Sequence, residues 1–405
     1  MGNGTIADRP VGSAAPTAWL VIAGLSLCHL LNDVMQSLLA AIYPLLQSEF
    51  SLAFWQIGLM TFAFQVTASI LQPLVGWLGD RRPLPALLPA GMGSTLAGLV
   101  LLATATAYPA LLAGAALIGV GSAIFHPEAS RVARAASGGR YGTAQSVFQV
   151  GGNVGSALGP LAAAFVVLPF GRPSLAWFAV TALIGMAVLQ RAAAWHAAAR
   201  RAAAARPRPA TAAAPVPLPR GRLAVIFAVL LLMVIVKNAY TASMSSYYIF
   251  FLIERFELST RSAQLMLFVF LAALAAGVAA GGAIGDRFGA RAVIWFSIFG
   301  ALPFTLALPH LPLVWTGVAS VLAGAIIACA FPAIVVYAQA LVPGRVGMVA
   351  GLFFGFAFGS GGIAAALLGV LADSRGIDFV FLVCSLLPAL GLLAVVLPRR
   401  RDLSA

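Results

Sequence analysis

The chain has 405 residues, of which 61% are apolar and only 9% are charged. A soluble domain carries about 25% charged residues, so this chain lacks the polar surface of a soluble enzyme, a disordered chain or a secreted disulfide scaffold. The formal charge of +13 does not describe a nucleic-acid binder either. The basic residues fall in short segments between long apolar runs, the pattern of a polytopic membrane protein.

Segments of roughly 20–28 apolar residues, the length that crosses a hydrocarbon core about 30 Å thick, occur twelve times. They run over 18–46, 53–78, 86–106, 110–134, 143–168, 173–193, 222–252, 262–284, 291–309, 313–340, 346–372 and 377–397. With a cytoplasmic N-terminus, nineteen of the 24 basic residues fall on inner segments and four on outer loops. This is the positive-inside bias, and it places both termini in the cytoplasm. The polar start through Thr17 has no apolar region followed by a cleavage box, so the first span reads as a retained anchor. The expected parts are a tail (1–17), a six-helix bundle (18–193), an Ala/Arg/Pro-rich linker (194–221), a second six-helix bundle (222–397) and a basic tail (398–405).

In the first span, Ser26, His29, Asp33 and Gln36 or Ser37 recur at three- and four-residue steps and share a face. An ionisable residue deep in a span marks a pathway by default, and Asp33 lies about 15 residues in, roughly 22 Å along the helix. His29, four residues before it, is placed to share its proton or to make a packing hydrogen bond. The second span carries Thr61, Gln65, Ser69 and Gln72 on one face and ends at Asp80-Arg81. In the fourth, His126-Pro127-Glu128 interrupts the backbone ladder. Glu128 reads as a proton relay or as the local i,i+3 partner of Arg131. The fifth carries Gln145, Gln149, Asn153 and Ser156, a polar face that must turn to a partner helix or a wet cavity.

The seventh span holds Lys237, the chain's only lysine, followed by Asn238, Tyr240, Thr241, Met244 and Tyr248. Lys237 is as deep as Asp33, so the two either face each other across a cavity or lock the halves as an ion pair. An ammonium is a compact charge that suits reversible binding of an anion. Gly351, Gly355 and Gly359 in the eleventh span repeat every four residues, as close helix packing requires. Cys28, Cys329 and Cys384 read as small buried residues. The four histidines are scattered without a metal-binding spacing, and there is no G-x-x-x-x-G-K loop, so neither a metal, a cofactor nor a bound nucleotide is expected.

The two bundles repeat. Asp80-Arg81 returns as Asp286-Arg287 and Asn32 as Asn238, both 206 residues on. Phe125-His126-Pro127 parallels Ala330-Phe331-Pro332, and Gly139-Arg140-Tyr141-Gly142 parallels Gly344-Arg345-Val346-Gly347, both 205 residues on. Because six is even, both copies enter the membrane from one side. The fold class expected is an all-α membrane protein of twelve transmembrane helices in two parallel six-helix repeats.

Gly282-Ala-Ile-Gly-Asp286-Arg287-Phe-Gly289-Ala-Arg291 resembles the G-x-x-x-D-R-x-G-x-R loop of the major facilitator superfamily. Gly76-Trp-Leu-Gly-Asp80-Arg81-Arg82-Pro83 is a second copy, with Pro83 where the pattern has Gly. SLCHLLNDVMQSLLAAIYPLLQSEFSL, FHPEASRVARAASGGR, FQVGGNVGSALGPL and GRVGMVAGLFFGFAFG are similar to the branch of this family that confers resistance to the phosphonate antibiotic fosmidomycin. Ala115 stands where drug exporters often carry a helix-4 arginine, while Gly155-x-x-x-Gly159-Pro160 keeps part of their helix-5 motif. The resemblance implies a proton-driven exporter of a phosphonate antibiotic; the expected protein is a monomeric antiporter of a bacterial inner membrane whose partners are a small anionic substrate and protons.

The candidate proton-coupling residues are Asp33, His29, Glu128 and His126. The candidate substrate residues are Lys237, Asn32, Gln36, Gln65, Gln149, Asn153, Asn238, Tyr240 and Tyr248. The candidate cytoplasmic gate is Asp80, Arg81, Asp286, Arg287, Arg291, Arg140 and Arg345. The main alternative is a proton symporter importing a small organic anion or sugar-like solute. An intramembrane enzyme would need a nucleophile–base or metal constellation, and a sensor would bind without turnover.

Overall fold

The computed structural model describes residues 16–52, 54–82, 84–205, 219–258 and 260–397. Among them every regular element is helical. Hydrocarbon offers no water to satisfy an exposed N–H or C=O, so a spanning segment must close its hydrogen bonds on itself.

The first half holds α1 (Trp19–Ala41), α2 (Tyr43–Phe50), α3 (Phe54–Arg81), α4 (Leu87–Thr104), α5 (Tyr108–Ala136), α6 (Tyr141–Ala162), the short α7 (Leu168–Phe170) and α8 (Ala179–Ala205). The second holds α9 (Arg220–Phe256), α10 (Thr260–Phe288), α11 (Ala290–Phe299), α12 (Leu302–Ala307), α13 (Leu313–Ala328), α14 (Ala330–Leu341), α15 (Val346–Arg375) and α16 (Ile377–Leu386).

Ten stretches among the described residues are long and apolar enough to cross a membrane. The other two expected spans are also helical. Residues 141–170 are helical, and Ile377–Leu392 is a shorter apolar helix. Prolines explain the interruptions elsewhere. A proline has no N–H and clashes with the carbonyl four residues before it. Pro303 thus ends α11 at Phe299, and Pro332 separates α13 from α14 at Ala328. A π-helical turn at Ala163–Val167 follows α6 directly.

α8 continues through Ala205, beyond the end expected at residue 193, over an alanine-rich run with high helix propensity. The expected tails and the Pro-rich part of the linker (1–15, 206–218 and 398–405) lie outside the described residues, as does Pro83.

Within the first half, α1 packs on α6 and α5 packs between α3 and α4; between halves, α3 meets α15 and α6 meets α10. The α3–α15 contact depends on glycine. A Cβ at Gly351 or Gly355 would run into the backbone carbonyls of Gln72 or Ser69. One turn or more further along, a Cβ at Gly359 would stand 3.5 Å from Ser69, one at Gly362 would stand 3.5 Å from Gln65, and one at Gly361 would meet nothing. The halves therefore touch at one end and diverge toward the other. A shared apolar core that includes Phe125, Phe148, Phe353 and Phe354 fills the joined region, and a second core around Tyr248, Phe251 and Phe381 lies within the second half.

Candidate transport site

The polar face of α1 meets the His126-Pro127 step of α5 and the amide stripe of α6. The His29 Nδ1–H donates to the Phe148 carbonyl at 2.8 Å, and its ring stacks on Phe148 with centroids 4.3 Å apart. A carbonyl only accepts, so the hydrogen bond fixes the tautomer and leaves Nε2 with a lone pair. That Nε2 stands 3.5 Å from Asp33 Oδ2. Asp33 accepts from Asn32 Nδ2 at 3.2 Å and from Ser156 Oγ at 3.4 Å.

His126 repeats the arrangement of His29. Its Nδ1–H donates to the Ser122 carbonyl at 2.9 Å, while its Nε2 is buried with no hydrogen-bond partner among the described residues. The ring lies edge-on to His29 at 5.0 Å and against Phe354 and Phe358, each at 5.1 Å.

These groups open on a cavity of about 160 Å³ between the halves. Gln149, Asn153 and Ser156 line it from α6, and Lys237 and Asn238 line it from α9. The Lys237 ammonium stands 5.4 Å from the centroid of Phe331, the repeat counterpart of His126. Among the described residues no ion pair engages Lys237. Asp33 and Lys237 thus put opposite charges on opposite halves of one cavity without locking together.

Several candidates lie elsewhere. Asn32 is fully buried and points within the first half, where its Oδ1 accepts from Thr95 Oγ1 at 3.4 Å. It orients Asp33 rather than facing the cavity. Gln36 and Gln65 are not among the lining residues. Gln36 is buried, and Gln65 lies where α3 and α15 diverge. Tyr240 lines a separate pocket inside the second half, and Tyr248 packs beside Phe251 and Phe381. In both cases the apolar ring wins over the hydroxyl, and the residue joins the core. The Asn238 amide donates to its own helix at the Val234 carbonyl, 2.8 Å away.

Glu128 is not part of the Asp33 cluster. Both its carboxylate oxygens accept from Arg131 Nη1 at 2.6 Å. Arg131 also donates from Nε to Asp80 at 3.1 Å and from Nη2 to the Gly76 carbonyl at 2.8 Å. The local i,i+3 pair is therefore one edge of a larger cluster at the joined end.

There Asp80 accepts from the backbone N–H groups of Gly347 at 3.0 Å and Met348 at 2.8 Å, at the start of α15. Asp286 accepts from the N–H groups of Gly142 at 2.7 Å and Thr143 at 2.8 Å, at the start of α6, and also from the Thr143 hydroxyl. The unpaired N–H groups and positive dipole end of a helix attract a carboxylate. The aspartate of each half thus caps a helix of the other. Repeat-related Arg134 and Gln339 meet between the two latches, with Nη1 donating to Oε1 at 3.3 Å.

The other gate candidates do not cross between the halves. Arg81 lies over Trp77 at 4.1 Å, Arg287 over Phe288 at 5.3 Å and Arg140 over Trp19 at 5.5 Å, and Arg345 is exposed. Arg291 donates to the Leu397 carbonyl at 2.9 Å within its own half. Long exposed arginines find nearby rings, whereas short aspartates reach a helix end at fixed geometry. Arg131, which joins Asp80 to Glu128, shows no sequence signal beyond its spacing from Glu128. Gly142 and Gly347 were visible as repeat partners, but not as the capped helix starts.

Two helical halves around a central polar cavity, joined by reciprocal aspartate caps, make up a membrane transporter fold. The Major Facilitator Superfamily model matches residues 25–366 and again 238–405, and the chain belongs to that family. It is 52% identical to the Fosmidomycin resistance protein of Escherichia coli (strain K12) over 399 residues, covering 97% of this chain and 98% of that one. It is 35% identical to the Uncharacterized MFS-type transporter YfnC of Bacillus subtilis (strain 168) over 397 residues, 98% of this chain and 97% of that one. Among solved structures it is similar to the transporter FucP in the outward conformation, with a TM-score of 0.72 at 18% identity, covering 93% of this chain and 98% of that one. It is also similar to the human organic anion transporter MFSD10, with a TM-score of 0.73 at 19% identity, covering 94% and 100%. These two likenesses concern the fold alone.

Proposed function

We propose that this Major Facilitator Superfamily transporter is a proton-coupled exporter of a small anionic antibiotic of the fosmidomycin type, acting as a monomer in a bacterial inner membrane. The observation that carries this reading is the cavity that sets Asp33 of one half against Lys237 of the other without an ion pair. The 52% identity to a fosmidomycin resistance protein supplies the substrate class. Twelve spans would place the Asp80 and Asp286 latches on the cytoplasmic side, and the latched state would open outward.

In this mechanism the Asp33–His29–His126 group takes a proton from the outside, and the substrate anion leaves Lys237, Gln149 and Asn153. After the latches part, the proton leaves inward and a new anion binds. The lipid bilayer supplies the only other partner, and neither nucleic acid nor a cofactor takes part.

Everted membrane vesicles with an acid interior test this directly. Adding fosmidomycin should dissipate the gradient, as followed by a pH-sensitive dye. Asp33→Asn should abolish the signal, and Lys237→Ala should weaken it at low substrate concentration. Transport unchanged in both variants would remove the assignment. Solute entry driven inward by the proton gradient in oriented vesicles would favour symport.

A further inference from the structure

We infer that His29, Asp33 and His126 form a binding site for a single divalent transition cation of the zinc, cobalt or nickel class. The inference rests on donor geometry and stands whether or not the chain exports an antibiotic.

Three features support it. First, the donor atoms of the three side chains lie within 4.8 Å of one another, although the histidines are 97 residues apart. Two imidazoles and a carboxylate are a donor set that suits these ions. Second, both rings are held in the same tautomer by Nδ1–H bonds to backbone carbonyls, 2.8 Å for His29 and 2.9 Å for His126. This is how proteins orient metal-binding histidines, with the second ring nitrogen free to coordinate. Third, His126 is 0% exposed, lines the cavity and has a buried Nε2 with no partner among the described residues. A buried polar atom left without a partner is costly, and a cation would satisfy it.

Bound to one ion at about 2.0–2.1 Å each, the donors must close in from their present spread. Asp33 can supply most of that movement. Its hydrogen bonds from Asn32 and Ser156 are long, 3.2 and 3.4 Å, and the 3.5 Å approach to His29 is not a tight pair. The remaining coordination positions would face the cavity. Lys237 across the cavity carries a like charge, so an anion bound between it and the metal would complete the site.

The test uses the purified full-length protein in detergent, with any affinity tag removed, titrated with cobalt(II) chloride and followed by visible absorption. One equivalent should give the d–d bands of a four- or five-coordinate site, and zinc chloride should displace it. His29→Gln, His126→Gln and Asp33→Asn should each lower the affinity by more than the ~10–100-fold typical of losing an outer-shell partner. His196→Gln and His310→Gln should leave it unchanged. Gel filtration and thermal unfolding show which variants fold, and Asp33→Asn, the smallest change, decides if either histidine variant does not. No stoichiometric cobalt binding, or binding unaltered in the folded variants of the cluster, would overturn the proposal. Because the readout needs no transport, its failure leaves the export reading in place, and failure of export leaves the site in place.

Discussion

The two aspartate latches are repeat copies of one device, yet they are not equally built. Asp80 is 8% exposed at its side chain and is held by Arg131, which is itself held by Glu128 and the Gly76 carbonyl. Asp286 is exposed and, among the described residues, has only the helix N-terminus and the Thr143 hydroxyl. The difference follows from single positions. Residue 336, the counterpart of Arg131 at the 205-residue offset, is Val, and residue 348, the counterpart of Thr143, is Met. Both halves keep the capping aspartate, and the neighbouring positions decide how much charge supports it. The first latch should therefore be the strong one, and the second should release first.

Arg131→Ala should have the largest effect on the latches. It leaves Asp80 and Glu128 close together and largely buried without their cation, which costs about 3–5 kcal/mol when a buried pair is broken. The joined end should open, and a cysteine introduced at Ser130 should become alkylated at least a hundredfold faster. Adding Glu128→Gln should restore part of the closure by removing one of the stranded charges. If Arg131→Ala left the reactivity unchanged, the first latch would not be the stronger.

A smaller effect is expected from Asp286→Asn. It keeps the side-chain shape but removes the charge, and because its NH2 cannot accept, either the Gly142 bond or the Thr143 bonds pass to water, a loss of about 1–2 kcal/mol at this exposed site. The alkylation rate should rise roughly tenfold. An effect as large as that of Arg131→Ala would show that the two latches share their load equally.

Thr143→Val should have the smallest effect. It removes one hydroxyl hydrogen bond and keeps both backbone donors, costing about 0.5–1.5 kcal/mol. The same assay should report a change of a few-fold, in the direction of Asp286→Asn and not additive with it. Additivity would mean that the hydroxyl serves some contact other than Asp286.

The sequence itself showed the helical membrane class and marked the repeated Asp80 and Asp286, because apolar length, loop charge and repeated spacing are properties of the chain read locally. It also picked Asp33, His29, His126 and Lys237, because a polar group in an apolar span stands out wherever the fold places it. Direction was harder to read. Tyr240 and Tyr248 share the helix of Lys237 but turn into the core, since a rotation of one residue about a helix exchanges cavity for packing. Glu128 and Arg131 looked like a local pair, because i,i+3 spacing is visible and a neighbour 51 residues away is not.

Sequence alone thus determined what kind of protein this is and which residues are costly to bury. Only the tertiary structure decided which of them meet. It brought His126 to Asp33, set Lys237 apart from Asp33 and gave each aspartate a helix from the opposite half. The physical reason is that burial cost is a property of a residue, while compensation for that cost is a property of its neighbours, and packing between distant helices chooses the neighbours.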